Sequence, residues 1–236
     1  MRSIIVMAMF LASFADAAWK DYTTVRDLKV DATGIESFEI NAGAGSLDIQ
    51  GVAGLDSLIV VATVVVPESD EDDALQLIDK KMRLSLDRNG ANAKLESWFE
   101  DGWLGRGSNA RIDLKISVPT GVTIRIDDGS GSIDLIGVEA DVSIDDGSGS
   151  IQVQGVASVS IDDGSGSIEV SDATGDVSII DGSGSINVRS VGGSVSVDDG
   201  SGSIKVSDVE QDLTIVDDGS GGFSYSDVRG RVDENF

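Results

Sequence analysis

From Gly121 onward the chain alternates apolar and polar residues with a period of two, interrupted at regular intervals by Gly-Ser turns. In one such stretch Val142 and Ile144 alternate with Ser143 and Asp145. A turn centred on Gly147 follows, and then Ile151 and Val153 alternate with Gln152 and Gln154. Period-two alternation puts Val and Ile on one face of a strand and the polar residues on the other. The pattern recurs. DGSGS begins at Asp128, Asp146, Asp163, Asp181 and Asp199, and a variant, DGSGG, begins at Asp218, giving spacings of 18, 17, 18, 18 and 19 residues. Each copy reads V-S-I-D-D-G-S-G-S-I-x-V, followed by a short tail with one further apolar residue. A degenerate early copy, AGAGSLDIQGV, begins at Ala42.

Stacked in register, the copies form four apolar columns. One holds Ile133, Ile151, Ile168, Ile186, Ile204 and Phe223, and the next Leu135, Val153, Val170, Val188, Val206 and Tyr225. A third holds Val142, Val159, Val177, Val195 and Leu213, and a fourth Ile126, Ile144, Ile161, Ile179, Val197 and Ile215. The last spacing predicts a bulge at Val216. A single rung cannot bury its apolar face, whereas stacked rungs share a continuous core. The fold class is therefore all-β: a parallel β-helix or β-solenoid with rungs of ~18 residues. A left-handed hexapeptide helix would need apolar residues at every sixth position. A Ca²⁺-binding nonapeptide roll would need two equal half-repeats. Neither pattern is present.

The organisation falls into three parts. Residues 1–17 read as a secretory signal peptide, with Arg2 as the positive start, Ile4 to Ala12 as the apolar run, and cleavage after Ala15-Asp16-Ala17. The mature chain then begins near Ala18, in the periplasm, the cell envelope or the extracellular space. Residues 18–120 are β-rich with one short helix. Ser69 reads as its cap, Asp70 to Asp73 as acids facing the helix dipole, and Ala74, Leu75, Ile78 and Met82 as its apolar face. Asn89-Gly90 marks a hairpin, Leu58 to Val66 a buried strand, and Arg111 to Val118 another strand ending at Pro119. Residues 121–236 are the regular repeats. The apolar runs are too short to span a bilayer.

Charge sharpens this picture. The chain has 42 acidic residues against 17 basic ones, a net charge of −25. That disfavours nucleic acid and anionic lipid as partners. With no Cys and no His, disulfides, thiol nucleophiles, imidazole metal sites and Ser-His-Asp triads are excluded.

Several of these elements together resemble the bacterial "putative adhesin" domain family, a secreted or envelope-associated β-solenoid group. They are the opening GAGSLDIQG strand pair, the Leu58 to Val66 strand, the acidic helix, the I-D-L-K-I-S-V-P-T-G segment and the repeated G-S-G-S-I. The likeness spans roughly residues 35–230. It implies a solenoid fold and carries over no functional residues.

Two constellations could carry function. The first is an acidic ladder: Asp128, Asp146, Asp163, Asp181, Asp199 and Asp218 in one column, with Asp127, Asp145, Asp162, Asp198 and Asp217 beside it and Ile180 breaking the second. Carboxylates stacked ~4.8 Å apart repel one another and invite a cation, for which Ca²⁺ suits the oxygen donors. The alternative is that Asp caps the turn by accepting the backbone N–H two residues on, while the second column is a solvated face. The second constellation is Ser97 to Trp103, where Trp98, Phe99 and Trp103 could stack on a sugar or cover an end of the solenoid. Phe223, Tyr225 and Phe236 suggest a cap at the other end. A polysaccharide-cleaving enzyme needs two carboxylates in different environments, whereas here equivalent carboxylates recur in every rung. The expectation is a non-catalytic, adhesin-like or structural scaffold presenting Ser/Asp ladders to a surface glycan or protein. Its alternatives are a Ca²⁺-dependent extracellular module and a carbohydrate-active enzyme.

Overall fold

The computed structural model describes residues 21–68, 70–100 and 110–234. The signal-peptide segment with its Ala17-Ala18 junction, Ser69, Trp103 and Phe236 lie outside the described residues. The strands before the regular repeats are β1 (Tyr22–Asp31), β2 (Ser37–Ala44), β3 (Leu47–Val52), β4 (Ser57–Val66), β5 (Met82–Asn89), β6 (Asn92–Phe99) and β7 (Arg111–Pro119). The helix α1 (Glu71–Lys81) lies between β4 and β5. The repeats supply β8 (Thr123–Ile136), β9 (Val142–Asp146), β10 (Gly149–Val156), β11 (Val159–Asp163), β12 (Gly166–Ala173), β13 (Val177–Asp181) and β14 (Gly184–Val191). They continue as β15 (Val195–Asp199), β16 (Gly202–Val209), β17 (Leu213–Asp217), β18 (Gly222–Val228) and β19 (Val232–Glu234).

Each repeat contributes one short strand to one parallel sheet and one longer strand to a second. The first sheet stacks β6, β2, β8, β9, β11, β13, β15, β17 and β19. The second stacks β7, β3, β8, β10, β12, β14, β16 and β18. Strand β8 is long enough to serve both, its first half in one sheet and its second half in the other. This is the β-solenoid expected from the repeat, and the four apolar columns pair in the predicted register. Ile151 sits between Ile133 and Ile168, and Ile161 between Ile144 and Ile179. The register shifts between Val197 and Asp198, where the opposite strand carries an unpaired, exposed Val216.

A fifth inward column lies in the tail of each rung, where Val156, Ala173, Val191 and Val209 are buried. The residue before each takes a left-handed conformation, as at Gly155 (φ 71°), Asp172 (φ 58°) and Ser190 (φ 58°). This shifts the alternation, so the column escapes a strict period-two reading.

The N-terminal end is closed differently. Strands β4 and β1 add to β7 in antiparallel fashion, and β5 adds to β6 as a hairpin. The hairpin loop is Gly90-Ala91, one residue later than the Asn89-Gly90 signal, with Gly90 at φ 64°. Helix α1 packs its buried Ala74, Leu77 and Ile78 against the core. Its cap is Asp70, whose carboxylate accepts the N–H groups of Asp72 and Asp73 at 3.0 and 3.1 Å. Leu75, expected on the apolar face, is exposed, and Leu77 takes that role because its position turns it toward the core. The strand pair β2–β3 comes early in the chain yet stacks between β6/β7 and β8. Both sheets thus run unbroken past Pro119, where composition and charge change.

The turns hold the rungs close together. Gly131, Gly149, Gly166, Gly184 and Gly202 have φ between 143° and 159°. A Cβ at Gly166 would lie 1.4 Å from the carbonyl oxygen of Gly149 in the rung beneath. Gly166→Ala should therefore destabilise the protein by more than about 3 kcal/mol, through both the clash and the positive φ. Gly222→Ala is the internal control, since nothing lies within 4 Å of its added Cβ, and it should be neutral or stabilise by a few tenths of a kcal/mol. Denaturant titration of the two variants checks this contrast.

Candidate functional site

Period two sends the two aspartates of each DDGSGS turn to opposite sides of the strand. Asp146 shares parity with Val142 and Ile144 and points inward, while Asp145 points out. The inner column, Asp128, Asp146, Asp163, Asp181 and Asp199, is 0–4% exposed. Asp127, Asp145, Asp162 and Asp198 lie on the outward side of the same strands, in register from rung to rung apart from Ile180. The two columns expected to run side by side are thus separated by the backbone. Among the described residues, no group of three or more carboxylates converges as a cation centre would require.

The inner aspartates make the turns. Oδ1 of Asp146, Asp163, Asp181 and Asp199 accepts the N–H of the Ser two residues on, at 3.2, 3.1, 3.0 and 3.1 Å. This is the capping geometry anticipated from the sequence. In the last rung the bulge hands that role to Asp217, which accepts the Gly219 N–H at 2.9 Å. The other oxygen, Oδ2, of the four inner aspartates is buried and has no hydrogen-bond partner among the described residues; Asp128 has both oxygens in that state. Burial pushes the Asp128 carboxyl up to about 7, with the neighbouring Asp146 charge adding to the shift. Burial likewise raises Asp146 and Asp181 to about 6, against the pull of the turn N–H groups. Asp163 and Asp199 are raised for the same first reason.

The outward face of the first sheet is a separate surface. It carries the Asp127, Asp145, Asp162 and Asp198 column and, beside it, Ser143, Ser160, Ser178, Ser196 and Thr214 in register. Trp98 stands on the same side of β6, where its Cβ packs beside Gly43 and its strand neighbour is Arg83, itself paired with Glu100. Phe99, one residue on, faces the other way and packs against the core. Trp98 and Phe99 therefore form no common aromatic platform. Phe223 and Tyr225 lie within the last rung, their rings stacked at 5.9 Å, with Tyr225 about half exposed. They continue the apolar columns instead of forming a separate cap. The outward face of the second sheet is mixed in charge and bridges rungs through Gln154 to Asp172 at 2.9 Å and through the Arg189–Glu169 ion pair.

The sequence allows either one acidic ladder or a turn cap with a separate solvated column, and the structure takes the second arrangement. Parity alone separates the two columns, because counting by twos from Ile144 reaches Asp146.

Asp145 is flanked by Asp127 and Asp162 in the adjacent rungs. At ~4.8 Å each neighbour costs about 0.9 kcal/mol even at the dielectric constant of water. Asp145→Asn should therefore raise stability by about 0.5–1 kcal/mol in dilute buffer, and the gain should vanish at molar salt. Melts of the wild type and variant at two ionic strengths test this.

No protein-family model matches the chain, and no curated protein matches it. Solved structures do. A "putative cell adhesion protein" from Clostridium sporogenes matches at 14% identity, covering 91% of this chain and 99% of that one, with a TM-score of 0.38. A "putative adhesin" from Parabacteroides distasonis matches at 12% identity over 89% of this chain and 96% of the other, with a TM-score of 0.41. A "putative adhesin" from Parabacteroides merdae matches at 11% identity over 89% and 95%, with a TM-score of 0.30. This chain is similar to these proteins along most of its described length.

Proposed function

We propose that the protein is a secreted, non-catalytic, adhesin-like scaffold that presents the outward Ser/Asp ladders of its first sheet to a surface partner. The observation that carries this reading is the register of that face. Ser143, Ser160, Ser178 and Ser196 stand in line beside Asp145, Asp162 and Asp198, on strands locked by rung-to-rung backbone bonds. A rigid repeated surface gains affinity by summing weak equivalent contacts. Its charge favours a neutral glycan or a basic protein over an anionic polymer. Trp98 offers a flat ring at the N-terminal end of the same face.

The hollows of the described surface suit catalysis less well. One, of about 530 Å³, is open and lined by Asp21, Ser46, Arg111, Asp113 and Ser130 among others. Its Asp113 is already held by the Arg111 guanidinium at 3.2 Å and the Ser46 N–H at 3.1 Å. That occupancy does not set up the unequal carboxyl pair that glycoside hydrolysis needs. Dependence on Ca²⁺ likewise draws no support from two columns that face opposite sides of the backbone. No described helix is long and apolar enough to cross a membrane. Secretion rests on the leader-like pattern of residues 1–17.

The test is binding of the mature chain to an array of neutral and acidic glycans and to intact bacterial and host cell surfaces. Asp145→Asn alone should reduce binding by less than about threefold, while the same change at Asp127, Asp145 and Asp162 together should reduce it at least tenfold. Turnover of any glycan, abolished by one ladder substitution, would replace this reading with the enzyme.

A further inference from the structure

The inner aspartates serve no partner on the outward face. They form a buried file of carboxyl groups, one per rung, and the ladder function leaves them unused. The turn needs only one oxygen from each, because Oδ1 takes the Ser N–H. The second oxygen is buried within the turn, beside its second glycine in the Asp163 and Asp181 rungs, with no hydrogen-bond partner among the described residues, on side chains 0–4% exposed. An ionised carboxylate in that position loses more by desolvation than the turn N–H returns, and a row of them at ~4.8 Å adds mutual repulsion.

The charged groups around the file offer no relief. The charges of Asp146 and Asp127 act on Asp128, those of Asp163 and Asp145 on Asp146, and that of Asp162 on Asp163, the outer ones from across the backbone. Those of Asp163 and Asp199 act on Asp181, while those of Asp218, Asp198 and Asp217 act on Asp199. Every one is a carboxyl group. Among the described residues, no ion pair of the chain reaches the file.

We propose that the buried aspartate file is a proton-holding element, which takes up protons in acid and gives them up toward neutrality, making the solenoid tighten in acid and loosen as the pH rises toward and past neutrality. The sign follows from linkage. In the unfolded chain these groups titrate near the ordinary value of 3.8, while in the folded chain Asp146 and Asp181 titrate near 6 and Asp128 near 7. Between those values the native state binds more protons than the unfolded state. Stability is therefore full below the lower value and is lost as pH climbs through the upper ones.

Thermal melts of the mature chain from pH 4 to pH 8 should show the highest midpoint near pH 4 and a decline that continues through pH 7, where Asp128 titrates, and flattens toward pH 8. The double variant Asp146→Asn with Asp181→Asn keeps the turn acceptors and removes two titrating groups. Its folding constant should lose about a tenfold dependence per pH unit for each group between about pH 4 and pH 6. The neighbouring outward change, Asp145→Asn, should leave the slope within about a third of a proton of wild type. If the inward and outward variants change the slope equally, general surface charge explains the acid effect and the proposal falls. Infrared spectroscopy of the folded wild type serves if the double variant does not fold. A protonated-carboxyl stretch present at pH 5 and decaying by pH 8 is expected, and its absence at pH 5 overturns the proposal. So does Ca²⁺ at pH 7 raising the midpoint as much as acid does, which would assign the file to a cation instead.

Discussion

The fold depends on how closely the DGSGS turns approach one another. At the second glycine of each turn the backbone of one rung lies directly over the carbonyl of the rung beneath, so near that even a Cβ has no place. Neighbouring bonds keep that spacing: the Gly149 N–H donates to the Ser165 carbonyl at 2.9 Å, and the Gly164 N–H to the Asp146 carbonyl at 2.9 Å. A wider corner would pull both sheets out of hydrogen-bonding register together, because each strand enters or leaves through it. The regular strand spacing, the apolar columns and the outward ladders all inherit their alignment from this contact.

Much of the architecture was legible because the repeat is local and recurs. The apolar columns, the bulge at Val216 and the β5–β6 hairpin each follow from the parity and spacing of nearby residues. The place of β2–β3 was not legible. Its pattern fits any rung, and only tertiary packing seats it between β6/β7 and β8. The tail column of Val156, Ala173, Val191 and Val209 was half legible. Its apolar residues stand out, but the left-handed residue before each breaks the period that would assign them a face.

The candidate surfaces follow the same logic. An Asp-Asp pair in a strand cannot present both side chains to one side, so the pleat selects the turn cap with a separate solvated column over a single acidic ladder. Trp98 and Phe99 were misjoined for the same reason, since adjacent aromatics on a strand look in opposite directions. What parity could not supply is the state of the inner carboxyls. That depends on whether a partner waits inside, and residues far apart in sequence decide it. The structure shows a turn N–H for one oxygen of Asp146, Asp163, Asp181 and Asp199 and no partner for the other among the described residues.

The inner and outer aspartates show one residue type serving opposed ends under one backbone constraint. Outside, carboxylates stay hydrated, at the expense of mutual repulsion that salt can screen. Inside, the same side chain provides the turn acceptor that lets each corner reverse tightly, at the expense of a second oxygen with no partner. Because both roles recur in equivalent rungs, neither singles out one residue as a centre of chemistry. Under the proposed reading, a surface built this way acts by summation along its length, and its interior responds to pH as a file of similar groups. Sequence change should therefore be felt gradually on the outside and sharply at the glycine contacts within.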